Sequence, residues 1–154
     1  MSKVIQTAIV TPDKHFPIHD KKAINVVCKA IEIVKPDTYV DLGDTGEWEH
    51  FSTHYWNKVN CDERHFVQGN HEVWLDKFVT RYPYLHQYKT ENALKLDKRG
   101  YEYHPYNRKK LLKLGKLRFT HGKFVSKYHS FKHLDVYGKS IMYGHTHDLQ
   151  RHTK

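Results

Sequence analysis

Apolar and polar positions alternate between two periods along the chain. Val4 to Val10 is apolar and β-branched, and Thr11-Pro12-Asp13 closes it, which predicts a strand with Asp13 and His15 at its C-terminal edge. Ile24, Val27, Ile31 and Val34 then recur at helical spacing, with Asp20 as N-cap and Pro36 as the stop, so a helix core is expected there. Thr38 to Leu42 and His65 to Gln68 predict two further strands, the second followed by a helix from Glu72 to about Arg81. Residues 82–110 carry no clear period and predict irregular structure, with a helical turn over Glu91 to Leu96 and a strand around Tyr101. Leu117 to Thr120 predicts a strand, Phe124 to Val136 a partly amphipathic helix, and Ser140 to Tyr143 a last strand.

Strands alternating with helices predict an α/β fold, which places ligand chemistry in loops at the C-terminal ends of its strands. The 154 residues suffice for one domain, 1–154, with a real core. No apolar run approaches the roughly 18 residues of a membrane span, and Met1-Ser2-Lys3-Val4-Ile5 lacks a signal peptide's features. The expectation is a cytoplasmic protein without membrane contact. Cys28 and Cys61 show no CxxC spacing, and no disulfide is predicted.

Composition adds charge. The formal net charge is +9, with 14 histidines counted neutral, which favours polyanionic partners. The excess is uneven. Residues 1–50 hold six Lys/Arg against eight Asp/Glu, whereas residues 89–118 hold ten against three. Arg108-Lys109-Lys110, Lys113, Lys116 and Arg118, with Tyr101, Tyr103 and Tyr106 nearby, have the composition of a nucleic-acid strand track. A solvated hairpin would read the same way.

The chemistry is concentrated where the strands end. Asp13-x-His15, Gly43-Asp44, Gly69-Asn70-His71-Glu72, His121-Gly122 and Gly144-His145-Thr146-His147 each follow a strand-like run. Taken singly, each is compatible with an ordinary turn. Taken in order, they supply Asp13, His15, Asp44, Asn70, His121, His145 and His147, oxygen donors and imidazoles suited to divalent Mn, Fe, Zn or Ni. Asp13 and His15, like His145 and His147, are two apart and project to one side in an extended or turn segment. A carboxylate such as Asp44 can bridge two cations, and a bridged pair about 3.5 to 4 Å apart clamps the attacking and leaving oxygens of an in-line displacement.

These motifs resemble the calcineurin-like metallophosphoesterase superfamily, whose pattern reads D-x-H, G-D-x-x-D, G-N-H-[DE], a lone H often followed by G, and G-H-x-H. The likeness spans Asp13 to His147. It implies a two-sheet β-sandwich flanked by helices, compact or shortened at its C-terminal side, since only seven residues follow His147. It implies two divalent ions, Mn2+ favoured, one held by Asp13, His15, Asp44 and His147 and the other by Asp44, Asn70, His121 and His145. By the same resemblance His71 is no ligand but protonates the leaving oxygen as a metal-bound hydroxide attacks phosphorus. Its orienting acid corresponds to Glu47, one methylene longer than the family's Asp. Where the protein phosphatases of the family carry Asp-Arg-Gly, this chain has Glu47-Trp48-Glu49, which shifts the expected phosphate-ester substrate from monoesters to diesters, nucleic acid included.

Two other functions remain open at this point, a phosphomonoesterase or protein phosphatase and a non-enzymatic scaffold of the same fold. Oligomeric state is open as well. His19, His50, His54, His65, His86, His104, His129, His133 and His152 are expected to be solvated or half-packed, with His50 and His54 closest to Asp44 in sequence. Trp48, Tyr55 and Trp56 are expected in core or rim packing rather than as a stacking surface.

Overall fold

The protein is described by a computed structural model covering residues 6–16, 18–46, 55–107 and 109–153. Val4 and Ile5 of the predicted first strand, Glu47, Trp48, Glu49, His50, His54 and Arg108 lie outside the described residues.

The fold is α/β with two sheets. Strands β1 (Ala8–Thr11), β2 (Thr38–Asp41), β3 (Glu63–Val67) and β4 (Glu102–His104) form a parallel sheet in the order β1-β2-β3-β4. Strands β5 (Leu112–Leu114), β6 (Leu117–Thr120) and β7 (Ile141–Tyr143) form the second sheet, with β5 antiparallel and β7 parallel to β6. Helix α1 (Lys21–Val34) joins β1 to β2, α2 (Asn70–Arg81) follows β3, and α3 (His129–Tyr137) precedes β7.

Strand alternation divides the core. One face of the parallel sheet sets Tyr39 and Phe66 against Ile31 and Cys28 of α1 and against Tyr55, Trp56, Leu94, Leu96 and Tyr101. The other face packs Val40, Leu42 and Val67 against Leu112 and Phe119 of the second sheet. Burying these side chains stabilises each by roughly 1.5–3 kcal/mol, enough to hold three- and four-residue strands that could not pair alone. Helix α1 begins as predicted, with the Asp20 carboxylate accepting from the amides of Lys22 and Ala23. Its buried stripe runs through Cys28 and Ile31, whereas Val34, expected in the core, is 49% exposed at the last turn.

Several expectations are corrected. Residues 82–110 are mostly regular, with 3-10 turns at Pro83–Tyr88 and Asp97–Arg99, a helical turn at Thr90–Ala93 and then β4. The basic segment is a hairpin, β5 turning at Gly115-Lys116 into β6, and Tyr101 is buried in the core rather than available to stack on a base. Helix α3 starts at His129, five residues later than predicted. His65, His129 and His133 are buried rather than solvated. Cys28 and Cys61 are free thiols. Among the described residues no helix is long and apolar enough to cross a membrane.

Candidate metal centre

The loops after β1, β2, β3, β6 and β7 meet at one end of the two sheets. The first two run side by side, with the Asp13 amide donating to the Gly43 carbonyl (3.1 Å), His15 to Asp44 (2.9 Å) and Phe16 to Thr45 (2.8 Å). The third and fifth press close enough to need glycine. A Cβ on Gly69 would stand 2.5 Å from the Asp44 amide nitrogen, and one on Gly144 2.6 Å from Asp13 Oδ2.

Backbone conformation marks the same residues. Seven non-glycine positions among the described residues have positive φ, and five of them are Asp13 (+49°), His15 (+50°), Asp44 (+48°), His145 (+72°) and His147 (+56°). The other two are Lys35, which ends α1, and Lys95. Left-handed backbone in a residue bearing a Cβ costs about 1–2 kcal/mol and persists where surrounding structure enforces it, as at ligand-holding turns. The predicted pairs therefore sit in left-handed turns rather than in extended strand.

Two groups of donors result. Asp13, His15 and His147 form the first, with His15 Nε2 3.4 Å from His147 Nε2 and Asp13 Oδ1 3.9 Å from His147 Nε2. Asp13 Oδ2 accepts from the His145 amide (2.8 Å), while buried Oδ1 has no hydrogen-bond partner among the described residues. Asp44, His121 and His145 form the second group, joined by Asn70. His121 Nε2 lies 3.1 Å from Asp44 Oδ2, 3.2 Å from His145 Nδ1 and 2.9 Å from Asn70 Oδ1. Its other nitrogen, Nδ1, donates to the Leu42 carbonyl at 2.7 Å, which leaves Nε2 as a lone pair for a cation.

The donors fit divalent metal on two counts. They are carboxylate, amide oxygen and imidazole without thiolate. They also converge without enough protons between them. With its oxygen inward, Asn70 adds a fourth lone pair to those of Asp44, His121 and His145. Turned over, its NH2 lies 2.8 to 3.3 Å from all three and brings two hydrogens to three acceptors. The buried Asp13 Oδ1 makes the same point for the first group.

Burial pushes the Asp44 carboxyl up, but the His121 hydrogen bond and charge, with the His71 amide and ring, outweigh it and hold it below the usual carboxylate range. Burial likewise lowers His121, but Asp44, Asp13 and the Leu42 carbonyl raise it above an ordinary imidazole. Burial lowers His15, with the His147 charge adding to it, and burial with the His121 charge lowers His145.

His71 stands at the mouth. Its side chain is half exposed, and Nε2 lies 3.9 Å from Asp44 Oδ2. Its ring meets His15 edge-on at 5.4 Å on one side and Trp74 at 5.0 Å on the other. Glu47, the expected partner of His71, falls outside the described residues.

Three supporting residues were not anticipated. Glu72, 2% exposed, accepts the amides of Asp44, Thr45 and Gly69, each at 2.9 Å, and so ties the second and third loops together. Its place three residues after Gly69, a helix N-cap, is the spacing of a capping box and was legible. Lys14, between two ligands, turns inward to a 2.7 Å ion pair with fully buried Asp41, which also accepts from Thr45 Oγ1 and the Gly43 amide. Trp74, one helical turn after His71 and 61% exposed, has no local signal beyond that spacing. No family model, curated protein or solved structure matches this chain.

Proposed function

We propose that the protein is a binuclear metal-dependent phosphodiesterase of the calcineurin-like metallophosphoesterase kind. The observation that carries this reading is the pair of adjacent donor groups, Asp13, His15 and His147 beside Asp44, Asn70, His121 and His145, with the half-exposed His71 at their edge. Two divalent ions held by these residues would supply Lewis acidity toward water and neutralise charge on the phosphoryl oxygens.

The chain's own residues supply the rest. His71, half exposed beside Asp44, is the residue that delivers a proton to the departing oxygen, a role that contributes about 10² to 10⁴ in rate for positioned acids. His15 and Trp74 confine its ring from both sides, and Asp44 fixes its backbone, accepting the His71 amide at 3.0 Å. In sequence, Glu47-Trp48-Glu49 replaces the Asp-Arg-Gly of the family's protein phosphatases, so the monoester-binding arginine is missing and an extra carboxylate is present, which favours the singly charged diester. A nucleic-acid diester is supported by the exposed Lys109, Lys110, Lys113 and Lys116 on and before the β5–β6 hairpin, although buried Tyr101 offers it no stacking.

The test is hydrolysis of bis(p-nitrophenyl) phosphate and p-nitrophenyl phosphate by chelator-stripped protein, without and with Mn2+. Diester turnover restored by Mn2+, absent in Asp44→Asn and largely lost in His71→Ala with Mn2+ still bound, is the expected result. Turnover of the monoester alone would replace the reading with a phosphomonoesterase. No turnover and no Mn2+ effect on melting would leave a scaffold, because a metal bound only by the folded state must raise stability.

A further inference from the structure

The alternation that packs Val40, Leu42 and Val67 against the second sheet also dictates what the edge of that face carries. His65 precedes Val67 by two residues on β3 and so shares its face, and Glu102 of β4 is the register partner of His65. His104, two residues on, pairs with Val67 on the same face. Where the inward pattern calls for apolar residues, the chain places two imidazoles and a carboxylate.

They converge. His65 Nδ1 lies 3.2 Å from His104 Nε2 and 3.3 Å from Glu102 Oε2, and His104 Nε2 lies 3.7 Å from Glu102 Oε1. Ligand bonds of about 2.0–2.1 Å in a tetrahedron put neighbouring donors about 3.3–3.4 Å apart, close to the two separations from His65, with the His104–Glu102 distance of 3.7 Å somewhat longer and to the other carboxylate oxygen. His65 is 8% exposed, and its Nε2 is buried without a hydrogen-bond partner among the described residues. Glu63 Oε2 lies 4.0 Å from that nitrogen. The donors line a cleft of about 450 Å³ whose other walls include Leu112 and Leu114 of β5, so a fourth position is open to water. Lys110 and Lys113 also line it and oppose a cation, with Glu63 as the compensating carboxylate.

We propose that His65, Glu102 and His104 form a further metal site, separate from the centre at the strand ends, for zinc or a similar borderline divalent ion. Two imidazoles and one carboxylate select such a metal over Mg2+ or Ca2+, which prefer all-oxygen sets. A metal on His65 Nδ1 would leave the proton on Nε2, where Glu63, 4.0 Å away, is a neighbouring carboxylate without a direct hydrogen bond. His65 lies five residues before Asn70, roughly 15 Å at the rise of a strand, so the two centres share no ligand. Its role is structural: it ties the three-residue edge strand β4 to β3, beside the hydrogen bond from the Gln68 amide to the His104 carbonyl (2.9 Å).

The test is equilibrium dialysis of the full chain against Zn2+ with elemental analysis, for wild type, Glu102→Gln, His104→Gln and Asp44→Asn. Glu102 is exposed, so Glu102→Gln is expected to keep the fold, as read by circular dichroism, even if His104→Gln does not. The expected result is one fewer equivalent of zinc in both variants of the cluster, and retention of that equivalent in Asp44→Asn. Equal zinc content in wild type and a folded Glu102→Gln or His104→Gln overturns the proposal, whatever the hydrolysis assays show.

Discussion

Glu72→Gln removes one charge and no volume, so it isolates what the carboxylate does between the second and third loops. Oε2 accepts the amides of Asp44 and Gly69, and Oε1 that of Thr45. A glutamine oxygen can keep the first two, but its NH2 then faces the Thr45 N–H. One buried donor left unsatisfied costs about 1–3 kcal/mol, and the two remaining bonds weaken because their acceptor is no longer charged. An opposing effect is on the same residue. Burial, with the nearby Asp44 carboxylate, raises the Glu72 carboxyl above its ordinary range, so neutralising it relieves desolvation and repulsion. With the lost acceptor dominating, the net is about 2 kcal/mol, or roughly 4–8 °C of melting temperature for a chain of this length. Calorimetry of the chelator-stripped protein measures this, and Mn2+ titration should show weaker binding as the Asp44 turn loosens. A melting temperature within about 1 °C of wild type, with unchanged Mn2+ affinity, would refute the reasoning.

Three further outcomes are expected. Lys14→Met leaves Asp41 buried without its cation and should destabilise by about 3–5 kcal/mol in urea unfolding; a loss below about 1 kcal/mol would mean that Thr45 and Gly43 suffice. Trp74→Ala, on an exposed face, should change stability by less than about 0.5 kcal/mol but remove a ring contact worth about 0.5–1.5 kcal/mol from His71, lowering diester turnover roughly 2- to 10-fold with metal binding intact. His133 donates from Nδ1 to the His129 carbonyl (2.8 Å) and accepts the Lys123 amide at Nε2 (3.2 Å), an arrangement for the neutral ring, and burial lowers its proton affinity. The unfolded chain then binds a proton that the folded one refuses, so this contribution is whole above the ordinary value of 6.5 and lost as pH falls below it. Melting temperature should drop on acidification from about pH 7.5 to 5.5, and His133→Gln, which can make both hydrogen bonds, should flatten that drop.

The elements that sequence reading located were those bounded by turn chemistry and filled by β-branched residues. Strands β2, β3, β6 and β7 each run into a glycine or histidine motif, and α1 has both cap and stop. Strand β4 was anticipated only as a strand around Tyr101, and β5 escaped because Leu112-Lys113-Leu114 is too short for a period to register. The candidate donors could be picked out because they recur after strands, but the left-handed turns that group them could not. Those turns depend on the neighbouring loop's carbonyls, which come from residues some thirty positions away. The buried His65, His129 and His133 were missed for a related reason. Their burial follows from which sheet face and which helix cover them, and only long-range pairing decides that.

The hydrogen bond from the His145 amide to Asp13 joins positions 132 residues apart, and the first donor group draws on both of those distant loops. A cation held by Asp13 and His147 would therefore act as a reversible cross-link over most of the chain. Closing a loop of about 100 residues removes on the order of 4–5 kcal/mol of disorder from the unfolded ensemble in the chain-entropy view of cross-links. Pairings so distant in sequence also form late, since the intervening chain must first be ordered. Capture of metal at the first group would accordingly time the docking of β7, and Mn2+ uptake during refolding would serve as a clock for the last step of assembly.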